Sequence, residues 1–192
     1  MKRLMMIWLL VLVGFHSGAQ EAPGIKVLGK ATRRSVQLRW APDSPVVWDL
    51  ANKYGYTVER VKLLENGRVL TEPVKEIITD VVLKPAPQPQ WVPFLDTDDY
   101  VAVAAQAIYG ETFELSDDFN SDLSQIVDKA KELDNRFSFG LFAADQSVKA
   151  AELSGLYIED ELIAANTKYV YRVYANIPPD IVQVDTGTVY IG

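Results

Sequence analysis

The segment Lys168-Tyr169-Val170-Tyr171-Arg172-Val173-Tyr174-Ala175 has the clearest strand pattern in this chain. Aromatic and β-branched side chains dominate it, and successive residues of a strand point to opposite faces of a sheet. We assign Tyr169 and Tyr171 to the buried face. Arg172 and Tyr174 then lie on the opposite face, where they could meet a neighbouring domain.

Further strand signals lie on both sides of this segment. Residues 35–40 alternate strictly between apolar and polar side chains, and residues 55–64 form another expected strand. Asn66-Gly67 predicts a tight hairpin turn, with a return strand that starts at Arg68. Shorter strands are expected at 25–28, 156–158 and 182–191.

The middle of the chain has a different character. Residues 84–93 form a proline-rich connector, which is locally stiff and extended. The pattern then becomes helical, with one helix from about Asp96–Asp98 to Tyr109, a second over about 121–135 and a third over 147–154. Residues 136–144 form an apolar run that could also be helical. The sequence between 72 and 154 is therefore expected to be mostly helical.

In this order, the strand segments resemble a fibronectin type III domain. Residues 37–60 resemble its B and C strands, residues 155–160 its E strand, and residues 166–175 its F strand. The resemblance implies a mainly β fold with an α insertion, in which an immunoglobulin-like β-sandwich is interrupted between strands C′ and E. Similar units with a helical insertion occur in large exported proteins of Bacteroidetes-type bacteria.

This resemblance also implies domain boundaries and structural roles. A single domain would occupy residues 20–192, with the sandwich at 24–71 and 155–192 and the insertion at 72–154. Trp40 and Tyr56 would lie in the core between the sheets. Trp48, which is expected in a short loop or helical turn, is grouped with them as a structural residue. Tyr169 would form the tyrosine corner, in which the hydroxyl binds backbone a few residues upstream.

The N-terminus has the pattern of a secretory signal peptide. Lys2 and Arg3 precede an apolar run over residues 4–15, and small residues follow up to Ala19. The run is shorter than the roughly 20 residues that span a bilayer. We expect cleavage after residue 19, no membrane span afterwards, and export to the periplasm, the cell surface or the medium.

Cleavage would leave a chain with neither histidine nor cysteine, because the only histidine is His16. Catalytic triads of the Ser-His-Asp and Cys-His types, and zinc sites built from His and Cys, need these residues. We therefore expect no enzyme, no cofactor and no metal. With 26 acidic against 19 basic residues, the chain should repel phosphate backbones, so nucleic acid is not an expected partner.

Clusters of acids allow more than one interpretation. Residues 96–99 and 117–122 precede expected helices, where carboxylates cap the helix and favour its dipole. The spacing Asp118-x-Asn120-x-Asp122 also imitates the start of a calcium loop, although Leu123 stands where that loop needs glycine. A glycosidase-like pair among Glu111, Glu114 and Asp117 is a further alternative.

Aromatic side chains suggest where a ligand would bind. Trp91 and Phe94 surround the start of the insertion, and Trp91 between prolines is the strongest candidate for an exposed ring. With Arg172 and Tyr174 they are the predicted partner surface. We expect an exported, non-catalytic binding or structural module that contacts another protein or adjacent domains. The alternatives are a carbohydrate-binding or accessory protein and a component of a surface or secretion assembly.

Overall fold

The computed structural model describes residues 22–111 and 122–192, with only the backbone for residues 122–127. The expected signal peptide therefore lies outside the described residues. The described part contains seven strands and four α-helices, with two single-turn 3₁₀ segments between β4 and α2. In chain order these are β1 (Ile25–Ala31), β2 (Val36–Pro42), α1 (Pro45–Tyr54), β3 (Tyr56–Glu65), β4 (Arg68–Ile77), α2 (Asp99–Tyr109), α3 (Asp122–Gln146), α4 (Val148–Leu153), β5 (Tyr157–Asp160), β6 (Thr167–Ala175) and β7 (Gly187–Ile191).

The strands form two antiparallel sheets. One has three strands in the order β1-β2-β5, and the other has four strands in the order β4-β3-β6-β7. Helices α2, α3 and α4 all lie between β4 and β5 in the chain. The structure confirms the prediction of a mainly β chain with helices between its strands.

Both sheets bury one face in a common hydrophobic cluster. Leu38 of β2, Val58 of β3 and Val173 of β6 are fully buried in it. Alternation along each strand explains the pattern, because every second side chain points inward. Each such aliphatic side chain contributes about 1.5–3 kcal/mol by leaving water.

Helix α1 is longer than the sequence indicated. Trp48 was expected in a short loop or a single helical turn, but it lies in a helix of 10 residues. Pro45 occupies the first turn, where a missing N–H costs nothing. Val47, Trp48 and Ala51 form a buried stripe, so packing against the core stabilises a helix that has little propensity signal.

Two strand boundaries also differ from the prediction. The insertion was expected to begin at residue 72, but β4 continues to Ile77 and pairs with Glu59 and Arg60 of β3. The end of β4 was predicted too early because this strand lies at the edge of its sheet. It is exposed along nearly its whole length, so its sequence lacks an apolar–polar alternation. At the other end, β7 covers 187–191 rather than 182–191.

The helical segment has a second hydrophobic cluster of its own. Trp91, Val101 of α2 and Ala143 of α3 are buried there, together with residues of α4. Helix α3 continues to Gln146, past the expected end at 135, and Gly155 follows α4 with a φ of +71°. The next residue of α3, Ala144, belongs to the cluster between the sheets, so this helix joins the two cores.

Candidate functional site

Trp91 is buried, so the prediction that its ring is exposed is wrong. Only 1% of the residue is exposed. Its indole Nε1 donates to the Ala86 carbonyl at 2.7 Å, and its ring meets Tyr109 edge to face at 6.1 Å. The proline-rich connector makes two short 3₁₀ turns on either side of Trp91, and these turns direct the ring into the helical cluster.

Phe94, the second predicted residue of the insertion, is half-buried. It packs on the same cluster as Trp91, and the Lys149 Nζ lies 5.3 Å from the centre of its ring. This cation–π contact covers part of the ring. Phe94 therefore packs the proline-rich connector against α4, and only part of its ring is exposed.

Arg172 and Tyr174 lie on the outer face of the four-stranded sheet. Their side chains converge on one carboxylate, because Tyr174 donates to Glu59 Oε2 at 2.9 Å and Arg172 Nη1 lies 3.4 Å from the same oxygen. Since Tyr171 and Val173, which alternate with them along β6, are buried, strand alternation holds both polar residues outward. They are thus separate in the fold from Trp91 and Phe94, which belong to the helical cluster.

Three other aromatic side chains of the helices are exposed. Tyr100 of α2 is 38% exposed, while Phe139 and Phe142 of α3 are 45% and 54% exposed. The rings of Tyr100 and Phe142 meet edge to face at 5.9 Å. We call these three residues the aromatic surface. The sequence offered one signal for it, since the apolar run 136–144 carries more large side chains than one helix face can bury.

Acidic side chains lie beside this aromatic surface. Asp99 precedes Tyr100, and Asp145 follows Phe142 by one helical turn; both are exposed. Asp98 has a structural role: its carboxylate caps α2 by accepting from the backbone N–H groups of Tyr100 and Val101, and it also accepts from Ser147 Oγ at 2.6 Å. The hydrogen bond from Ser147 is the main reason why the pKa of Asp98 lies below its ordinary value.

The calcium-like spacing and the carboxylate group, which the sequence offered only as alternatives, fall largely outside the described residues. Asp118 and Asn120 of the calcium-like motif lie there, as do Glu114 and Asp117 of the carboxylate group. Within the described ranges, no group of three His, Cys, Asp or Glu side chains is arranged to hold a metal ion.

The four residues assigned structural roles are all buried. Trp40 and Tyr56 meet edge to face at 5.8 Å between the sheets, and Trp48 packs against Phe137 of α3 at 6.4 Å. The Tyr169 hydroxyl accepts a hydrogen bond of 2.9 Å from the backbone N–H of Ala164, five residues upstream. This bond fixes the loop that joins β5 to β6.

A buried polar cluster links the two sheets, and the sequence interpretation did not identify it. Arg60 Nη1 of β3 donates to both carboxylate oxygens of Asp160 of β5 at 2.8 Å, and Tyr171 of β6 donates to Asp160 at 2.7 Å. Burial and the hydrogen bond to Asp160 raise the pKa of Tyr171. One feature of the sequence indicated this cluster: Arg60 is a charged residue on the inward-facing side of β3, the same side as Tyr56 and Val58.

A small cavity lies between the three-stranded sheet and the helices. Its volume is about 140 Å³, and its walls include Leu28, Arg39 and Leu141. Arg39 donates to the Asp145 carbonyl at 2.8 Å and lies 3.8 Å from the Asp145 carboxylate, so its charge is already paired at the rim.

Comparisons of this chain with family models, with curated proteins and with solved structures found no match. Among the residues that the structure describes, no helix is both long enough and apolar enough to cross a membrane.

Proposed function

We propose that this chain is an exported, non-catalytic binding module: a fibronectin type III-like β-sandwich whose helical insertion contacts a protein partner through the aromatic surface. The observation that carries the proposal is the exposure of Tyr100, Phe139 and Phe142 on neighbouring helices. Large aromatic side chains gain more from burial than any others, and they are enriched where proteins bind one another.

Sheet topology supports the scaffold. The orders β1-β2-β5 and β4-β3-β6-β7 correspond to strands A-B-E and C′-C-F-G of the proposed domain. The hydrogen bond between Tyr169 and Ala164 supports a tyrosine corner at the start of strand F. The helices would then form an insertion between strands C′ and E.

Charge supports a particular kind of partner. Asp96 and Asp99 are exposed close to the aromatic surface in sequence, and the exposed carboxylate of Asp145, one helical turn after Phe142, lies 3.8 Å from Arg39. A partner with apolar anchors and basic side chains would complement it, and its association should weaken as salt rises.

Export and lack of catalysis rest on the sequence. The pattern of residues 1–19 supports a signal peptide, and no histidine or cysteine follows it. The alternative of carbohydrate binding depended on Trp91 as a stacking residue, and its burial removes that support.

The test is the double substitution Tyr100→Ser with Phe142→Ser. The tagged mature chain is used to recover its partner from envelope extracts, and the recovered partner is then titrated directly. We expect at least about tenfold weaker binding, because two aromatic anchors are lost.

The matched control replaces two exposed apolar residues elsewhere, Leu162→Ser with Ile181→Ser, which are 79% and 48% exposed. This control should bind like the wild type. If both double variants bind the partner equally well, the aromatic surface is not the binding site.

A further inference from the structure

The outer face of the four-stranded sheet is a second surface with its own chemistry. In the sheet register, Lys75, Val61, Val170 and Tyr190 form one row across β4, β3, β6 and β7. Ile77, Glu59 and Arg172 form the next row. Strand alternation turns all these side chains away from the core, since Val58, Tyr171 and Val173 point inward.

This sheet face is cationic, whereas the whole chain carries a net charge of −7. Lys75, Lys168 and Arg172 supply three positive charges. Glu59, which lies among them, is only 14% exposed and is engaged by Arg172 and by the hydroxyl of Tyr174. The charges of Glu59 and Arg172 offset each other within the face, so an approaching molecule meets mainly the positive charges of Lys75 and Lys168.

Apolar side chains lie between these cations. Ile77 is 54% exposed and Tyr190 is 56% exposed, while Val61 beneath them is 3% exposed. The Lys168 Nζ lies 5.9 Å from the centre of the Tyr190 ring, which places this cation at the edge of the apolar strip. Cations around an exposed apolar strip are the pattern expected of a surface that takes a ligand with both carboxylates and apolar side chains.

We propose that this sheet face binds an acidic polypeptide surface that carries apolar side chains. Charge complementarity to Lys75 and Lys168, which remain after Arg172 is paired with Glu59, selects the acidic partner. The aliphatic side chain of Ile77 favours a polypeptide over an anionic polysaccharide, because a sugar polymer would leave it without an apolar counterpart. This surface is independent of the aromatic surface of the helices, which favours a basic partner.

The test uses two synthetic peptides that alternate leucine with a charged residue, glutamate in one and lysine in the other. Their affinities are measured for the mature wild type, for Lys75→Glu with Lys168→Glu, and for Lys26→Glu with Lys30→Glu. The last variant is the matched control: it makes the same change in net charge on β1, which belongs to the other sheet, and Lys26 is 78% exposed.

We expect the wild type to bind the glutamate peptide at least about tenfold more tightly than the lysine peptide, and salt to weaken this binding. The preference should disappear in the Lys75/Lys168 variant and persist in the Lys26/Lys30 variant. A second variant, Tyr190→Ser, keeps the lysines and should weaken binding without reversing the preference. Thermal unfolding of each variant checks that it folds.

Three outcomes would overturn the proposal. Equal affinity of the wild type for both peptides, including no measurable binding of either, removes the selectivity on which it rests. Binding of heparin without binding of the glutamate peptide would assign the face to a polyanionic sugar. Self-association that the Lys75/Lys168 variant abolishes, without peptide binding, would assign it to a second copy of the chain.

Discussion

At the scale of single residues, Arg60 and Asp160 form an ion pair that joins the two sheets. Both side chains are buried, with 9% and 3% exposure, and Asp160 also accepts from Tyr171 and from the backbone N–H of Leu162. Removing one member of a buried pair leaves the other charge uncompensated in a low-dielectric site, which costs more than the pair itself contributes.

We therefore predict that Asp160→Asn lowers the free energy of unfolding by about 3 kcal/mol or more. Urea unfolding followed by tryptophan fluorescence measures this loss. The control is Glu76→Gln, which removes the other carboxylate bound to Arg60; because Glu76 is 55% exposed, its loss should cost less than about 1 kcal/mol. Similar losses for the two variants would show that burial does not distinguish the two ion pairs.

The junction of α4 with β5 matters at the scale of elements. Gly155 has a φ of +71°, and a Cβ there would lie 2.8 Å from the carbonyl carbon of Lys84. Gly67, in the hairpin between β3 and β4, has a similar φ of +76° but nothing within 4 Å of a Cβ. The two glycines thus share the backbone requirement and differ in the space around them.

This comparison predicts unequal effects of two alanine substitutions. Gly67→Ala should lower the free energy of unfolding by about 1–2 kcal/mol, the cost of a left-handed conformation. Gly155→Ala should cost clearly more, because the connector backbone at Lys84 must also shift. Equal urea midpoints for the two variants would mean that the backbone at Lys84 shifts away from the added Cβ of residue 155 at little cost.

At the scale of the whole molecule, α3 joins the two hydrophobic cores. Ala143 packs with Trp91 in the helical cluster, and Ala144 packs with Trp40 in the cluster between the sheets. Neighbouring residues of one helix thus belong to different cores. Such a connection favours unfolding of both parts together.

We predict that Trp40 and Trp91 report the same unfolding midpoint. The mature chain is labelled with 5-fluorotryptophan, its ¹⁹F signals are assigned by single Trp→Phe substitutions, and each signal is followed through urea unfolding. Coincident transitions are expected if the helices and sheets form one cooperative unit. A separate, earlier transition at Trp91 would show that the helical cluster unfolds independently.

Much of the scaffold could be predicted from local pattern. Alternation located β2, β3 and β6, the Asn66-Gly67 pair located the hairpin, and the capping residues at 96–98 marked the start of α2, where the structure selects Asp98 as the cap. These signals work because strand periodicity, turn conformation and helix capping depend on neighbouring residues. Edge strand β4 was misjudged because its pairing with β3 leaves both of its faces exposed.

The candidate surfaces were harder to predict. Trp91 lies in the proline-rich connector and Phe142 in an apolar run of the sequence, yet the first is buried and the second is 54% exposed. Their exposure depends on how α2, α3 and the connector pack, which no local pattern encodes. The same is true of the cationic sheet face, whose lysines come from β4 and β6 and meet only through strand pairing.

The sequence by itself determined most of the strands, the helical character of the segment between β4 and β5, and the absence of histidine and cysteine after residue 19. Tertiary structure alone decided that Trp91 belongs to a core, that Arg60 meets Asp160 across the sheets, and which aromatic rings face solvent. The physical reason is that periodicity and composition act over a few neighbouring residues. Burial and charge pairing depend on contacts between segments far apart in the chain, such as residues 60 and 160.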